Sequence, residues 1–275
     1  MEQPSTPSNE FFAPGETSLG ERFLADGYVI LPVEDDAGLM NIRAAVAAAG
    51  ADHLGTAAPN DVGLFLDGIA GQVEADALNE FRLAVIGGLN AHLWLRAAYF
   101  GLARAALQNL VGNELVMQRR VNLSIQMPND DSSLLPVHTD VWSGGSPFEV
   151  VVWLPLVDCH ATKSMYLLPP GPNAEIQKNM AGFKGKSAED LFLEIEKDVT
   201  FLDIKFGDAL IFSQNLLHGN RVNREPGTRW SMNCRFKSLF SPYADKKLGE
   251  YFEPITLRPA TRLGLDYELP GGLDA

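Results

Sequence analysis

Apolar residues follow two regimes along this chain. Over residues 17–112 they recur at helical spacing, and beyond Gly112 they alternate or run together as in strands. Thr17 to Glu21 predicts the start of a short helix, with Thr17 or Ser18 as cap, ended by Gly27 and followed by a strand from Tyr28 to Val33. Asp35 or Asp36 then caps a helix through Ala48, with Leu39, Ile42 and Val46 on its apolar face and a stop near Gly50. Residues 51–71, punctuated by Asn60-Asp61-Val62-Gly63 and Asp67-Gly68, read as loop. From Val73 to Gly112 the pattern is helical again, interrupted at Gly87-Gly88, with Leu78, Phe81, Val85, Leu93, Leu102 and Leu110 as the buried stripe.

In the second half, Val121 to Met127 alternates and puts Asn122, Ser124 and Gln126 on one face. Phe148 to Leu156 is nearly all apolar and reads as a strand buried on both faces, and Ser164 to Pro169 is a further strand. Residues 170–200 form an insertion with a helix capped at Ser187, backed by Asp190 and apolar at Leu191, Phe192 and Ile195. Such a segment either closes over a site or covers a sheet edge. A last strand, Arg229 to Phe236, places Arg229, Ser231, Asn233 and Arg235 on one face and Trp230, Met232, Cys234 and Phe236 on the other. Helices first and strands afterwards predict an α+β fold with the N-terminal helices packed on one sheet. The expected organisation is a flexible tail (1–16) and one domain (17–275). The domain divides into a mainly helical half (17–112), a strand core (113–238) carrying the insertion, and a C-terminal extension (239–275) that wraps the surface or a partner subunit.

Composition narrows the classes. Of 275 residues, 46% are hydrophobic, ample for a core, and the net charge of −13 repels nucleic acid and anionic membranes. No apolar run reaches the length of a membrane span, and Met1 to Pro14 lacks the basic and apolar regions of a secretion signal. Cys159 and Cys234 form neither a disulfide framework nor a zinc spacing, which fits a reduced cytoplasm. What is left is a protein acting on a small molecule, with the oligomeric state, a homodimer included, open.

The candidate chemistry lies in Val137-His138-Thr139-Asp140. On an extended strand, side chains at i and i+2 leave one face, so His138 and Asp140 can reach one metal ion, with His218 as a second imidazole from a distant strand. Two histidines and one carboxylate on one face of an octahedron leave open positions, the ligand set of non-haem Fe(II) oxygenases. The competing reading is a turn in which Asp140 caps the Trp142-Ser143-Gly144-Gly145 loop. Asp158-Cys159-His160 offers a second i, i+2 pair in an apparent loop, and His53 and His92 belong to the helical half.

The succession His138-Thr139-Asp140, then Gly207-Asp208-Ala209-Leu210-Ile211-Phe212, then Leu217-His218-Gly219-Asn220, with Arg229 eleven residues after His218, resembles the phytanoyl-CoA dioxygenase superfamily. Those proteins are Fe(II)- and 2-oxoglutarate-dependent oxygenases. Glu21 to Leu31 resembles the same superfamily's opening, so the likeness extends over about residues 20–238. It departs at Leu168-Pro169-Pro170-Gly171-Pro172-Asn173, where many members have Pro-Gly-Ser-His, and that loop's usual substrate contact does not carry over. The resemblance implies a double-stranded β-helix (a cupin-like jelly roll), iron on His138, Asp140 and His218, O2 as oxidant and 2-oxoglutarate as co-substrate. It implies that Arg229 holds the far carboxylate of 2-oxoglutarate, since a planar guanidinium matches a carboxylate. It gives Gln126 and Asn220 co-substrate contacts and puts Trp153 near the iron, although Trp153 by itself reads as a core aromatic. Related halogenases replace the carboxylate by a small residue, so Asp140 argues against halogenation, and the resemblance implies oxidation (hydroxylation) of an unactivated C–H bond. The Val141 to Phe148 loop is similar in wording to a subgroup of carbohydrate and aminoglycoside biosynthesis. That similarity implies a sugar or cyclitol substrate, with Trp142 stacking on a sugar face and Asn122, Asn233 and Arg235 meeting hydroxyls or a phosphate. Two alternatives stay open: a metal-dependent cupin-type isomerase or epimerase, which needs no Arg229, and a non-catalytic sugar-binding relative, which needs no metal.

Overall fold

The computed structural model describes residues 11–270. The first ten residues of the expected tail and the last five of the expected extension lie outside the described residues. Helix α1 (Pro14–Asp26) begins earlier than its sequence pattern predicts. Pro14 opens it, where a missing N–H is harmless, and the Glu16 carboxylate accepts from the Ala13 N–H at 2.8 Å. Thr17 and Ser18 therefore sit inside the helix and not at its cap. Gly27, with φ 74°, ends it, and strand β1 (Tyr28–Pro32) follows. Helix α2 (Asp36–His53) starts as predicted, with Asp35 Oδ1 accepting from the Gly38 N–H at 2.9 Å, but it runs straight through Gly50. That glycine is a packing residue: a Cβ there would lie 3.3 Å from the rings of Phe65 and Phe81.

The expected loop over 51–71 contains helix α3 (Val62–Asp67), capped by Asp61, and a 3-10 turn at Ile69–Gly71. Helix α4 (Leu78–Asn90) passes unbroken through Gly87 and Gly88. The break comes after it, before α5 (Leu95–Gly101) and α6 (Arg104–Leu110), and Leu93 sits there fully exposed instead of joining the buried stripe. Leu78, Phe81, Val85 and Leu102 are buried as predicted.

The strands are β2 (Leu115–Gln118), β3 (Asn122–Gln126), β4 (Glu149–Pro155), β5 (Tyr166–Leu167), β6 (Thr200–Phe201), β7 (Asp208–Ser213), β8 (His218–Gly219), β9 (Arg229–Ser238) and β10 (Phe252–Pro254). The larger sheet runs β1-β7-β4-β9-β2-β10, with β3 pairing the first half of β9, and the smaller runs β6-β5-β8. All these pairs are antiparallel. The strand predicted over Ser164 to Pro169 shrinks to two residues because Pro169 and Pro170 lead into helix α7 (Pro170–Lys178).

The helices cover one face of the larger sheet. The Trp230 indole donates to the Leu66 carbonyl at 2.8 Å and meets Phe81 edge-on, and the Tyr99 hydroxyl donates to the Val152 carbonyl at 3.0 Å. Met232, Cys234, Phe236, Leu123 and Ile125 join Ile42, Val46, Leu66 and Val85 in one buried cluster. Each such fully buried aliphatic or aromatic side chain contributes roughly 1.5–3 kcal/mol, so this layer dominates the stability. Helix α8 (Ala188–Ile195), with the predicted Ser187–Asp190 capping box, buries Leu191, Phe192 and Ile195 against Tyr166, Leu168 and Leu217. The insertion thus packs on the smaller sheet. The C-terminal extension adds β10 to the edge of the larger sheet beside β2 and ends in helix α9 (Pro259–Leu265). No helix among the described residues is long and apolar enough to cross a membrane.

Candidate active site

The face of the larger sheet opposite the helices is polar along one line. Asn122 lies across from Asn233, Ser124 from Ser231 and Gln126 from Arg229. Strand alternation brings these six residues to one face, and the next inward position of β9 is Arg235, whose neighbour on β4 is Val151. Ser124, Ser231, Asn233, Arg229 and Arg235 line a cavity whose other walls are Val151, Trp153, Met165, Phe212, Leu135, His138, Asp140, His218, Gly219 and Asn220. Both sheets therefore contribute to it. Its volume of about 90 Å³ is several times the ~10–15 Å³ that one water requires, room for a small organic acid.

His138 and His218 come together through a backbone bridge, with His138 N–H to the His218 carbonyl at 3.0 Å and His218 N–H to the His138 carbonyl at 2.9 Å. Gly219 makes that approach possible, because a Cβ there would lie 2.6 Å from the Tyr166 hydroxyl and 2.8 Å from the Leu135 carbonyl. Each imidazole is oriented alike: His138 Nδ1 donates to the Pro136 carbonyl at 2.7 Å and His218 Nδ1 to the Leu216 carbonyl at 2.8 Å. A carbonyl can only accept, so the proton sits on Nδ1 and Nε2 keeps its lone pair for a metal. Burial, then His138, pushes the His218 pKa down to about 4, so this ring is neutral at ordinary pH and could bind a metal.

Asp140 completes the set, and ligand atoms of His138, Asp140 and His218 all lie within 4.8 Å of one another. It stands where the extended stretch ends. His138 belongs to the bridge, whereas Asp140 opens a 3-10 turn, Asp140–Ser143, whose N-cap makes no side-chain bond. The i, i+2 spacing works as predicted, because His138 lies in the bridge and Thr139 is extended (φ −116°, ψ 147°), so both side chains leave one face before the chain turns. Burial disfavours the Asp140 carboxylate, yet Arg235, with His218 and His138, outweighs it and holds the pKa below the usual value. This is the one such group of metal-competent side chains among the described residues. The Asp158–His160 pair is built into a turn: Asp158 Oδ1 accepts from the Phe206 N–H at 2.9 Å, and Cys159 bridges Ile204.

Arg229 is 2% exposed and its Nη2 donates to Ser124 Oγ at 3.1 Å. Its Nε has no partner, no carboxylate pairs with it among the described residues, and burial pushes its pKa down to about 10. Ser231 Oγ, on the same cavity wall, is also buried without a partner. A buried cation with spare donors facing a cavity suits a carboxylate.

The remaining candidate residues fall in several places. Gln126 is fully buried, its Nε2 donating to the Arg221 carbonyl at 2.6 Å and its Oε1 unpartnered. Asn220 lines the cavity but spends its amide on the 133–135 loop, accepting from the Leu135 N–H at 2.6 Å and donating to the Ser133 carbonyl at 3.3 Å. Trp153 is in the cavity wall and 6% exposed. Asn122 and Asn233 bond to each other at 2.9 Å and line a wider outer space of about 660 Å³, shared with Asn79, Arg82, Ser132 and Ser133. Trp142 is 49% exposed on its 3-10 turn and is not among the residues lining either space. Arg235 pairs with Asp140. The serines at 124 and 231 and Tyr251, which reaches Arg235, were not singled out as site residues. Alternation does place both serines inward, while nothing local marks Tyr251.

The chain matches no protein-family model, and no curated protein resembles it in sequence. Solved structures do resemble it. EctD from S. alaskensis, with 2-oxoglutarate and 5-hydroxyectoine, is 16% identical with a TM-score of 0.55, over 87% of this chain and 81% of that one. The nickel complex of the non-haem monooxygenase ThoJ is 18% identical with a TM-score of 0.50, over 82% and 79%. HygX from Streptomyces hygroscopicus, with nickel and 2-oxoglutarate, is 12% identical with a TM-score of 0.50, over 86% and 90%. This chain, a mixture of helices and antiparallel sheet, shares its fold with these three structures.

Proposed function

We propose that the protein is an Fe(II)- and 2-oxoglutarate-dependent dioxygenase with a jelly-roll core, hydroxylating an unactivated C–H bond of a small polar metabolite such as a sugar or cyclitol. The observation that carries this reading is Arg229, a buried guanidinium with no anionic partner, opening onto the same cavity as the two histidines and Asp140. An isomerase that works without 2-oxoglutarate, or a binding protein for a neutral sugar, would have no use for that charge. The donor set fits iron: two neutral imidazoles with Nε2 free and one carboxylate, leaving positions for 2-oxoglutarate and O2. Iron held there would supply O2 activation coupled to decarboxylation of 2-oxoglutarate to succinate and CO2.

The chain's own residues divide the remaining work. Arg229 binds the far carboxylate of the co-substrate, assisted by the hydroxyls of Ser124 and Ser231. Val151, Trp153, Met165 and Phe212 keep that part of the cavity apolar, which strengthens the pairing by excluding water. Substrate enters through the outer space, where the Asn122–Asn233 amide pair offers hydrogen bonds matched to hydroxyl groups. The test is 2-oxoglutarate turnover in air with Fe(II), read as CO2 and succinate. Wild type is expected to release both slowly without substrate and His218→Ala is expected to release neither. No succinate from wild type under any metal supplement would overturn the reading.

A further inference from the structure

Strand alternation presents Arg235 to the cavity, where a substrate contact is the obvious role, but its hydrogen bonds point elsewhere. Arg235 Nη2 donates to Asp140 Oδ1 at 2.5 Å, with the two side chains 13% and 7% exposed. Arg235 Nη1 donates to Gln118 Oε1 and to the Tyr251 hydroxyl, both at 3.2 Å. Both Nη groups are thus occupied, one by the candidate ligand and the other by β2 and the C-terminal extension, while Nε is buried without a partner.

We propose that Arg235 is a positioning residue: it clamps the Asp140 carboxylate through Oδ1 and leaves Oδ2 as the single oxygen available to the metal. This rests on the metal-site reading above. Asp140 needs such a clamp more than the histidines do. Each imidazole is fixed by a carbonyl two residues back, whereas Asp140 stands on a short 3-10 turn with no backbone partner for its side chain. A carboxylate free to rotate would take up metal through either oxygen or both, filling a position that co-substrate and O2 require. Arginine suits the task because its planar fork bonds in two directions at once, which an ammonium on a flexible stem does not do with the same geometry. The extension gains a purpose as well, since its Tyr251, with Gln118 of β2, holds the far side of the fork.

The test is Co(II) binding by the metal-free protein, followed by the visible ligand-field bands, in wild type, Arg235→Gln, Arg235→Lys and Tyr251→Phe. Loss of an outer partner of a metal ligand typically costs about 10- to 100-fold in affinity, and Arg235→Gln is expected to fall in that range with altered band intensity. Arg235→Lys should recover part of the affinity, and Tyr251→Phe should lose less than Arg235→Gln. Circular dichroism of the metal-free variants checks folding, and if Arg235→Gln does not fold, weakened binding by the lysine and phenylalanine variants carries the test. Unchanged Co(II) affinity and spectrum in the folded variants would overturn this proposal alone, as would a change confined to the KM of a substrate. A wild type that binds no Co(II) would overturn the metal reading and this proposal with it.

Discussion

Gln126 and Arg229 stand directly across the β3–β9 pair, and each keeps a buried side-chain atom without a partner, Oε1 of the glutamine and Nε of the arginine. A buried donor left unmade costs free energy, and a buried guanidinium without an anion costs more. The site is therefore built at the expense of stability, and an anionic ligand would recover the arginine's share of the loss.

Arg229→Met is the direct test of that cost. Replacing buried charge by apolar volume is often neutral or stabilising by roughly 1–4 kcal/mol, so the variant is expected to unfold at the same or higher urea concentration than wild type. Only wild type should gain further stability from 2-oxoglutarate in the presence of metal. A variant unfolding at clearly lower urea would mean that Arg229 is part of the scaffold.

Metal should stabilise the fold through its ligands. At a free concentration of 100 times Kd, a ligand that binds only the native state adds about 2.7 kcal/mol. Ni(II) is expected to raise the thermal midpoint of wild type and to leave those of His138→Ala and His218→Ala in place. An equal rise in all three would place the metal elsewhere.

Away from the site, Trp230 ties the helical layer to the sheet. It is fully buried, and its indole holds the Leu66 carbonyl at 2.8 Å. Trp230→Phe leaves that carbonyl without its donor and opens a void, a loss of about 2–4 kcal/mol. Urea unfolding should show it, and a variant as stable as wild type would contradict the packing described.

Much of this was legible in the chain, for reasons that can be named. The i, i+2 spacing of His138 and Asp140 and the strict alternation of β3 and β9 are local patterns, so that pair and the polar face could be read directly, whereas the distant His218 was legible only through the family resemblance. Glycine misled where it serves packing: Gly50 lies against two phenylalanines inside α2, and Gly87 and Gly88 sit within α4. Helix α3 hid among Asn, Asp and Gly because one of those residues, Asp61, is its cap. The pairing of Arg235 with Asp140 joins positions 95 residues apart and leaves no local signal.

Glu149 supplies a pH-dependent prediction. It is 2% exposed, and burial raises its pKa despite the bond from the Ser146 N–H at 2.8 Å and the nearby Gln214. A raised carboxylate pKa means a stabilising contribution that is complete below the ordinary carboxylate value and lost as pH rises through the raised one. Glu149→Gln keeps an oxygen for the Ser146 N–H and removes the buried charge. The variant is expected to match or exceed wild-type stability at neutral pH, with a flatter dependence between mildly acidic and neutral conditions. Unfolding midpoints at two pH values decide it, and a lower midpoint at neutral pH would contradict the sign.

The central claim, a metal and a 2-oxoglutarate carboxylate held in one cavity, is tested most directly by anaerobic titration with Fe(II) and then 2-oxoglutarate. The signal is the visible charge-transfer band of the iron chelate. The account predicts a band in wild type that is absent in His218→Ala and needs far more 2-oxoglutarate in Arg229→Ala. Metal binding with no band at any co-substrate concentration would contradict it and leave the isomerase reading in its place.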